Sequence, residues 1–560
     1  MSGLERARKL GARLERAGRV LRRSGVLETL SPAGLWRLAA GASRGSAGTG
    51  ALVRFFACMT PDKPALVDGD TRLDYRALAG RTTALAAGLR AAGLGRGKPL
   101  GILLPNCHEY VTLQLATAQV GATAVQIGYR LKAPEVRYIL EDSQAVALVF
   151  GAEYAPTVRE ALSGLAIPPG RCFVVNRGAV IDWAIPFERL LETPGARAEE
   201  RADEGLGAVM VYTSGTTGRP KGAMRDLRRT GVEPVIDFVS QLPLRNDERH
   251  LVCCPLYHSA APAFVALTYL VGGTVVLADA FEPARVLDLI QRERITSSMM
   301  VPTMYSRLVH EPDEVLRRYD TSSLRWLISG AAPLPTALAE KVERCFGAIL
   351  WNFYGSTETG LLTLARPGEH TARPGTIGRL LSGNQVRLCD DAGQEVAAGE
   401  IGELWVRNPM LVDGYHGNEA ATRAARRDGY FSVGDLARID GDGYLYLTGR
   451  KHDMIISGGV NIYPLEIEQR LHRHPAVHEC AIVGIPDEEW GETVWAFVVR
   501  RQGAPLDADE VVAFCRTELA DFKRPRRVEF VESLPRNATG KVLRHELRAW
   551  ADRARADASA

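Results

Sequence analysis

The sequence predicts an α/β protein, a large N-terminal unit of helix-covered sheets followed by a smaller α+β unit at the C-terminal end. Two patterns carry this. From about residue 51, short apolar runs alternate with helical patterns, which implies parallel strands covered by helices. After Gly449 the units shorten into an α+β rhythm that fits a small separate domain. Composition bounds the class: 560 residues, 46% hydrophobic and 24% charged, are ordinary for a soluble globular chain and exclude disordered, collagen-like and disulfide-scaffold proteins.

In order, Leu4, Ala7, Leu14, Ala17 and Leu21 recur at helical spacing, with Arg6, Lys9, Arg13, Arg16, Arg19 and Arg23 mostly on other faces. This basic amphipathic helix reads either as packed on the body or as a membrane-surface element. Gly41–Gly50 reads as a small-residue linker. Leu73–Gly93 is expected as a helix, Pro99–Leu104 as a strand, His108–Gly121 as a helix and Thr123–Ile127 as a strand. Further strands are expected at Ala208–Tyr212, Leu251–Cys254, Thr274–Leu277, Ser298–Val301, Trp326–Ile328 and Ile349–Trp351. Beyond Gly449 come strands at Met454–Ser457, Cys480–Gly484, Val494–Val499 and Arg527–Val531, with helices at Pro464–His474 and Ala508–Leu519. The expected division is an arm and linker over 1–50, a body over 51–449 and a C-terminal domain over 450–560.

The net charge of +3 is too small to suggest a nucleic-acid binder. It is unevenly spread: residues 1–50 hold ten basic residues against three glutamates, a local +7, so residues 51–560 sum to −4. Only nine of the 69 basic residues are lysines, which gives each lysine more weight as a compact point charge. The nine cysteines form no CxxC or Cys/His ligand spacing and read as reduced thiols, hence a cytoplasmic chain. No signal peptide is expected, because the N-terminus lacks an apolar core. Two charge-free stretches, Tyr110–Tyr129 and Ser259–Ala278, have the length of membrane spans. Thr, Gln and Gly in the first, and Pro262 with Gly272-Gly273 in the second, favour a buried helix followed by a buried strand.

The strand Ala208–Tyr212 runs into Thr213-Ser214-Gly215-Thr216-Thr217-Gly218-Arg219-Pro220-Lys221-Gly222. Glycines let the backbone turn its N–H groups inward, hydroxyls add donors and Lys221 adds a charge, a cradle for polyphosphate. It is not a Walker A loop, because Lys221 precedes glycine rather than Ser or Thr.

With this string the chain resembles the adenylate-forming superfamily of acyl-CoA synthetases, luciferases and peptide-synthetase adenylation domains. The resemblance covers about residues 51–550, and it implies a large domain of helix-covered mixed sheets with a small mobile C-terminal lid that hinges near 450–453. In Asn352-Phe-Tyr-Gly-Ser-Thr-Glu-Thr359 it implies Tyr354 and Gly355 against adenine, Thr357 at the α-phosphate and Glu358 on Mg²⁺. Ser329-Gly-Ala-Ala-Pro-Leu334 is implied to line the adenine and acyl pocket through Gly330, Ala331 and Ala332; composition alone equally fits close helix–strand packing. Asp435 and Arg450 are implied ribose contacts, and His258 a gate between the acyl and pantetheine channels. Gly458 and Gly459 are implied to line the pantetheine tunnel of CoA, and Lys541 to bridge the attacking carboxylate and the α-phosphate. Lys541, Lys221, Glu358 and His258 are thus the expected catalytic set, with ATP, Mg²⁺ and CoA required.

The sequence departs from the family in three places. His452 stands where the hinge is usually Asp or Lys, and Ile127-Gly-Tyr-Arg-Leu131 replaces an early Asn-x-Arg-Leu. After the phosphate loop, Met224-Arg-Asp226 replaces a common Thr-His pair, a change expected to leave the core chemistry untouched. Tyr257, Ser259, Ala260 and Ala261 offer no anion for an amino-acid ammonium. The expected activity is ligation of a fatty acid of medium or long chain to CoA through an acyl-adenylate. An aryl-acid CoA ligase or a fatty acyl-AMP ligase is the alternative, and a luciferase-like oxygenase or a non-catalytic nucleotide binder belongs to a different class. The expected partners are the acid, ATP and CoA, with no nucleic acid, and residues 1–25 are the candidate contact to an inner membrane surface.

Overall fold

A computed structural model gives the fold, describing residues 15–36 except 17, 48–192 except 177 and 180, 207–213, 220–226, 233–536 and 541–559. Among these residues the strands form three sheets. The largest begins as a parallel set, Pro64–Asp68, Thr274–Leu277, Arg249–Val252, Ser297–Met300, Trp326–Ser329 and Leu350–Ser356. These strands are short and apolar because helices cover both faces; Thr274–Leu277, Ser297–Met300 and Trp326–Ser329 are buried at every position.

The same sheet then continues antiparallel through Gly360–Ala365, Thr376–Leu380, Tyr444–Arg450, Tyr430–Ile439, Gly402–Arg407 and Gln385–Cys389. The expectation of parallel sheets holds only for the first half. In the second half one face is solvated, so Gly402–Arg407 alternates buried and accessible positions and shows no continuous apolar run.

The second sheet orders Gly414–Tyr415, Lys221–Asp226, Ala208–Thr213, Thr123–Gln126, Pro99–Leu103, Ala147–Gly151, Cys172–Val175 and Ile185–Pro186. The third orders Val460–Ile462, Ile455–Ser457, Gly491–Arg500 and Val477–Asp487, with Arg527–Phe530 parallel to Gly491–Arg500. Arg450 ends a strand of the large sheet and Ile455 begins one of the small sheet, so the sheets change across Lys451–Asp453.

Two sequence expectations shift. The helix expected from Leu73 starts at Tyr75, because Asp74 accepts the Ala77 N–H at 2.7 Å as an N-cap and Thr71–Asp74 pairs as a strand. The end of the Gly41–Gly50 linker belongs to the helix Thr49–Met59. Of the two readings of the arm, its described residues fit packing on the body: Arg16 donates to Ser382 Oγ at 2.7 Å and pairs with Asp237 at 3.3 Å, and the Asn246 N–H donates to the Ser24 carbonyl. Leu4, Ala7, Leu14 and Ala17 lie outside the described residues. Both charge-free stretches fold as expected, into His108–Gln119 with Thr123–Gln126 and Ala260–Leu270 with Thr274–Leu277. No described helix is long and apolar enough to cross a membrane, and all nine cysteines are free.

Candidate active site

The carboxyl ends of the parallel strands open into a cleft of about 4100 Å³ between the two large sheets and the C-terminal domain. That exceeds a usual small-molecule pocket severalfold, which leaves room for more than one substrate.

The phosphate loop closes a hairpin. Thr213 pairs with Lys221 across antiparallel strands, and Tyr138 Oη donates to the Pro220 carbonyl at 3.0 Å, anchoring the loop's end. Ser214, Gly215, Thr216, Thr217 and Gly218 lie outside the described residues. Lys221 emerges from the hairpin with its ammonium 5.1 Å from the centre of the Tyr415 ring.

Opposite, the antiparallel half of the large sheet places three expected residues in one hydrogen-bonded set. Asp435 and Arg450 are directly paired across neighbouring strands, and Arg450 Nε donates to Asp435 Oδ1 at 3.1 Å. Tyr354 Oη donates to Asp435 Oδ2 at 2.5 Å, and burial holds this phenol well above its usual pKa. Gly355 must be glycine, because a Cβ there would meet the Gly360 carbonyl at 2.0 Å. Thr357 and Glu358 follow on the turn; Thr357 Oγ1 lies 3.4 Å from Ser259 Oγ, and Tyr415 Oη donates to Glu358 Oε1 at 3.3 Å. Glu358 is buried yet faces the cleft, so its carboxylate is hard-oxygen chemistry suited to Mg²⁺.

His258 stands after the strand Arg249–Val252 on a loop pinned by Asn106, whose Nδ2 donates to the Cys254 and Ala278 carbonyls, both at 3.1 Å, and whose Oδ1 accepts the Leu256 N–H at 2.8 Å. Burial, with Lys541 and Arg130 nearby, pushes the His258 imidazole down to about 4, so it is neutral at pH 7. Lys541 reaches into the same cleft from the C-terminal domain. Water reaches it, but protein surrounds its ammonium; desolvation and Arg450 lower its pKa, while Glu358 and Asp435 oppose them.

Some expected residues stand elsewhere. Ala331 and Ala332 line the cleft, but Gly330 does not: a Cβ there would meet the Phe353 ring at 2.3 Å, so close packing explains this glycine. Gly458 and Gly459 also lie outside the cleft, in a left-handed turn where the Gly458 N–H donates to the Trp490 carbonyl at 2.7 Å. The C-terminal domain presents Lys541 and turns that hairpin away.

Two residues escaped the sequence reading. Tyr415 gives no local signal, and only its two-residue pairing with Ala223 and Met224 brings it to Glu358. Arg225, in a segment expected to leave the core chemistry untouched, donates from Nη2 to the Thr357 carbonyl at 2.6 Å. The signal lay in strand alternation, since Lys221, Ala223 and Arg225 share one face.

Residues 54–416 match the AMP-binding enzyme family, and residues 466–541 match the AMP-binding enzyme C-terminal domain. The chain belongs to the AMP-binding enzyme family. It is 40% identical over 503 residues to a feruloyl-CoA synthase of Amycolatopsis, spanning 88% of this chain and 96% of the relative. A long-chain-fatty-acid–CoA ligase of Mycobacterium tuberculosis is 35% identical over 89% of this chain and 97% of its own. Among solved structures, an anthranilate CoA ligase in complex with anthranoyl-AMP superposes with a TM-score of 0.83 at 28% identity, over 91% of this chain and 98% of that one. An amide bond synthetase from Marinactinospora thermotolerans does so at 0.80 and 28%, over 90% and 99%. The protein is an adenylate-forming ligase of the acid–thiol kind, with ATP, Mg²⁺ and CoA as its cofactor and co-substrates.

Proposed function

We propose that the protein joins an aromatic or similarly compact carboxylic acid to CoA in two steps through an acyl-adenylate. The observation that carries the acid class is the wall of rings beside Ala331 and Ala332. Phe353 packs on Gly330 and lies 5.8 Å from Phe264 and 6.2 Å from Phe238, centre to centre. Phe264 and Phe353 line the cleft with Phe238 fully buried behind them, so a flat acid has aromatic surface to pack on there. The 40% likeness to a feruloyl-CoA synthase supports the same reading. The second reading, a fatty acid, draws on Met299, Val301 and Met304, which also line the cleft with apolar groups, the methionines being adaptable in shape.

The carboxylic acid is already ionised at pH 7, so adenylation needs no general base. Its obstacle is repulsion between two anions. Lys221 from the body and Lys541 from the C-terminal domain both line the cleft and would offset that repulsion, and Asp435 with Tyr354 would fix the nucleoside. Glu358 would hold Mg²⁺, which neutralises phosphate charge when bound. Neutral His258 adds no charge beside the incoming acid.

A panel of acids tests the proposal. Hydroxycinnamic and benzoic acids should support ATP–pyrophosphate exchange and CoA ester formation at least tenfold better than fatty acids of twelve or more carbons, estimated from about 1–3 kcal/mol of pocket discrimination. Phe353→Ala should narrow that ratio. A preference for long fatty acids in the unaltered enzyme would overturn the acid class, and no exchange with any acid would overturn the activity.

A further inference from the structure

Arg225 lies on the same strand face as Lys221 and lines the cleft. Its Nη2 donates to the Thr357 carbonyl at 2.6 Å, the residue immediately before Glu358. Its guanidinium also feels the Glu358 carboxylate, and although burial lowers its pKa to about 10 it stays charged at pH 7. Room for it comes from Gly360, which adopts φ +72°; a Cβ at Gly360 would press to 3.2 Å from Arg225 Nη1 and 2.8 Å from Met410 Cβ. Further contacts of Glu358 include Tyr415 Oη donating to its carboxylate at 3.3 Å, Ser356 Oγ accepting its N–H at 3.2 Å and the Val412 N–H on its carbonyl at 2.9 Å. A neutral donor would satisfy one carbonyl without the cost of enclosing a charge. The guanidinium does two things together, clamping the turn and setting a positive charge beside the carboxylate.

We infer that Arg225 is a positioning residue for adenylation, fixing the Thr357–Glu358 turn so that the Glu358 carboxylate meets the metal–nucleotide complex in one orientation. This rests on the proposed role of Glu358. A guanidinium fork is required, because a lysine ammonium lacks the planar donor set that reaches the carbonyl while flanking the carboxylate.

The test uses the full-length enzyme and the variants R225L, R225K, R225Q and E358Q. Binding of Mn²⁺ with a non-hydrolysable ATP analogue is read from the spin-resonance signal of free Mn²⁺. Pyrophosphate exchange and CoA ester formation from supplied acyl-adenylate are measured in parallel, with thermal unfolding as the check on folding. R225L should weaken Mn²⁺–nucleotide binding about tenfold and slow exchange about 100-fold, while ester formation stays within twofold. R225K should recover less than a tenth of the lost exchange. R225Q, which keeps an amide donor, should fall between them, and it replaces R225L if that variant does not fold. Unchanged Mn²⁺ binding in R225L, equal loss in both half-reactions, or full rescue by R225K would each overturn the inference. If E358Q itself retains exchange, the role of Glu358 fails instead, whatever Arg225 does.

Discussion

On the body side of the cleft, the functional side chains hold one another. Asp435 takes bonds from Tyr354 and Arg450, Glu358 from Tyr415, and Arg225 grips the carbonyl before Glu358. All stand on or beside paired strands. On the C-terminal side, Lys541 stands outside any helix or strand, just before Val542, which makes a single bridge with Arg536, and three residues before the helix Arg544–Ser559. The helix that follows is tied within its own domain: Arg544 bonds Glu468 at 2.6 Å and approaches Asp453 at 3.5 Å. The wall has its shape set within one body. A lysine carried by a separate domain can be withdrawn, and the proposed two-step reaction calls for that between its steps.

The largest expected effect breaks this comparison outright. Lys541→Ala should slow adenylation by on the order of 10²–10³ or more, the usual cost of one preorganised charge donor, and leave ester formation from supplied acyl-adenylate nearly intact. Equal loss in both half-reactions would mean that the C-terminal side is as fixed as the body.

A smaller effect is expected where the domains touch. Arg501 Nη1 lies 2.6 Å from His310 Nε2, and Lys341 Nζ lies 3.0 Å from the same nitrogen, while His310 Nδ1 faces the Ser306 carbonyl at 2.6 Å. Nε2 is therefore the acceptor of a neutral imidazole, consistent with a pKa lowered by burial and the neighbouring cations. Arg501→Ala removes a contact made only in this orientation. Adenylation should fall severalfold with ester formation unchanged or faster, and an unaltered ratio of the two rates would show that the contact does not hold the domain.

The smallest effect concerns stability. His250, His258 and His370 are held neutral, with pKa values lowered to about 3, about 4 and about 4, chiefly by burial. Unfolded, each takes up a proton near pH 6.5. The unfolded chain thus binds more protons between pH 6.5 and 4, so stability should fall as pH falls through that window. The melting temperature at pH 5 should lie below that at pH 7; a flat profile would show that these sites admit water.

Much of the site was legible because its chemistry is local. The phosphate loop and the Tyr354–Glu358 turn each occupy a few consecutive residues whose types announce charge or tight turning, whereas Asp435 and Lys541 stood out only through the family resemblance. The parallel strands were legible for a related reason, since burial on both faces leaves unbroken apolar runs such as Thr274–Leu277. The antiparallel half was not, because solvent on one face dilutes the pattern, as in Gly402–Arg407.

The sequence by itself determined the family and the existence of a separate C-terminal unit, and it nominated the lysines and carboxylates proposed for catalysis. Only the tertiary structure decided that Gly330 serves Phe353 and not the cleft, that Tyr415 and Arg225 support Glu358, and that Lys541 faces the site while Gly458 and Gly459 face away. The physical reason is distance along the chain. A motif encodes what its own residues can do, whereas Arg225 and Thr357 lie 132 positions apart, and a donor meets that carbonyl only after two sheets have closed on one cleft.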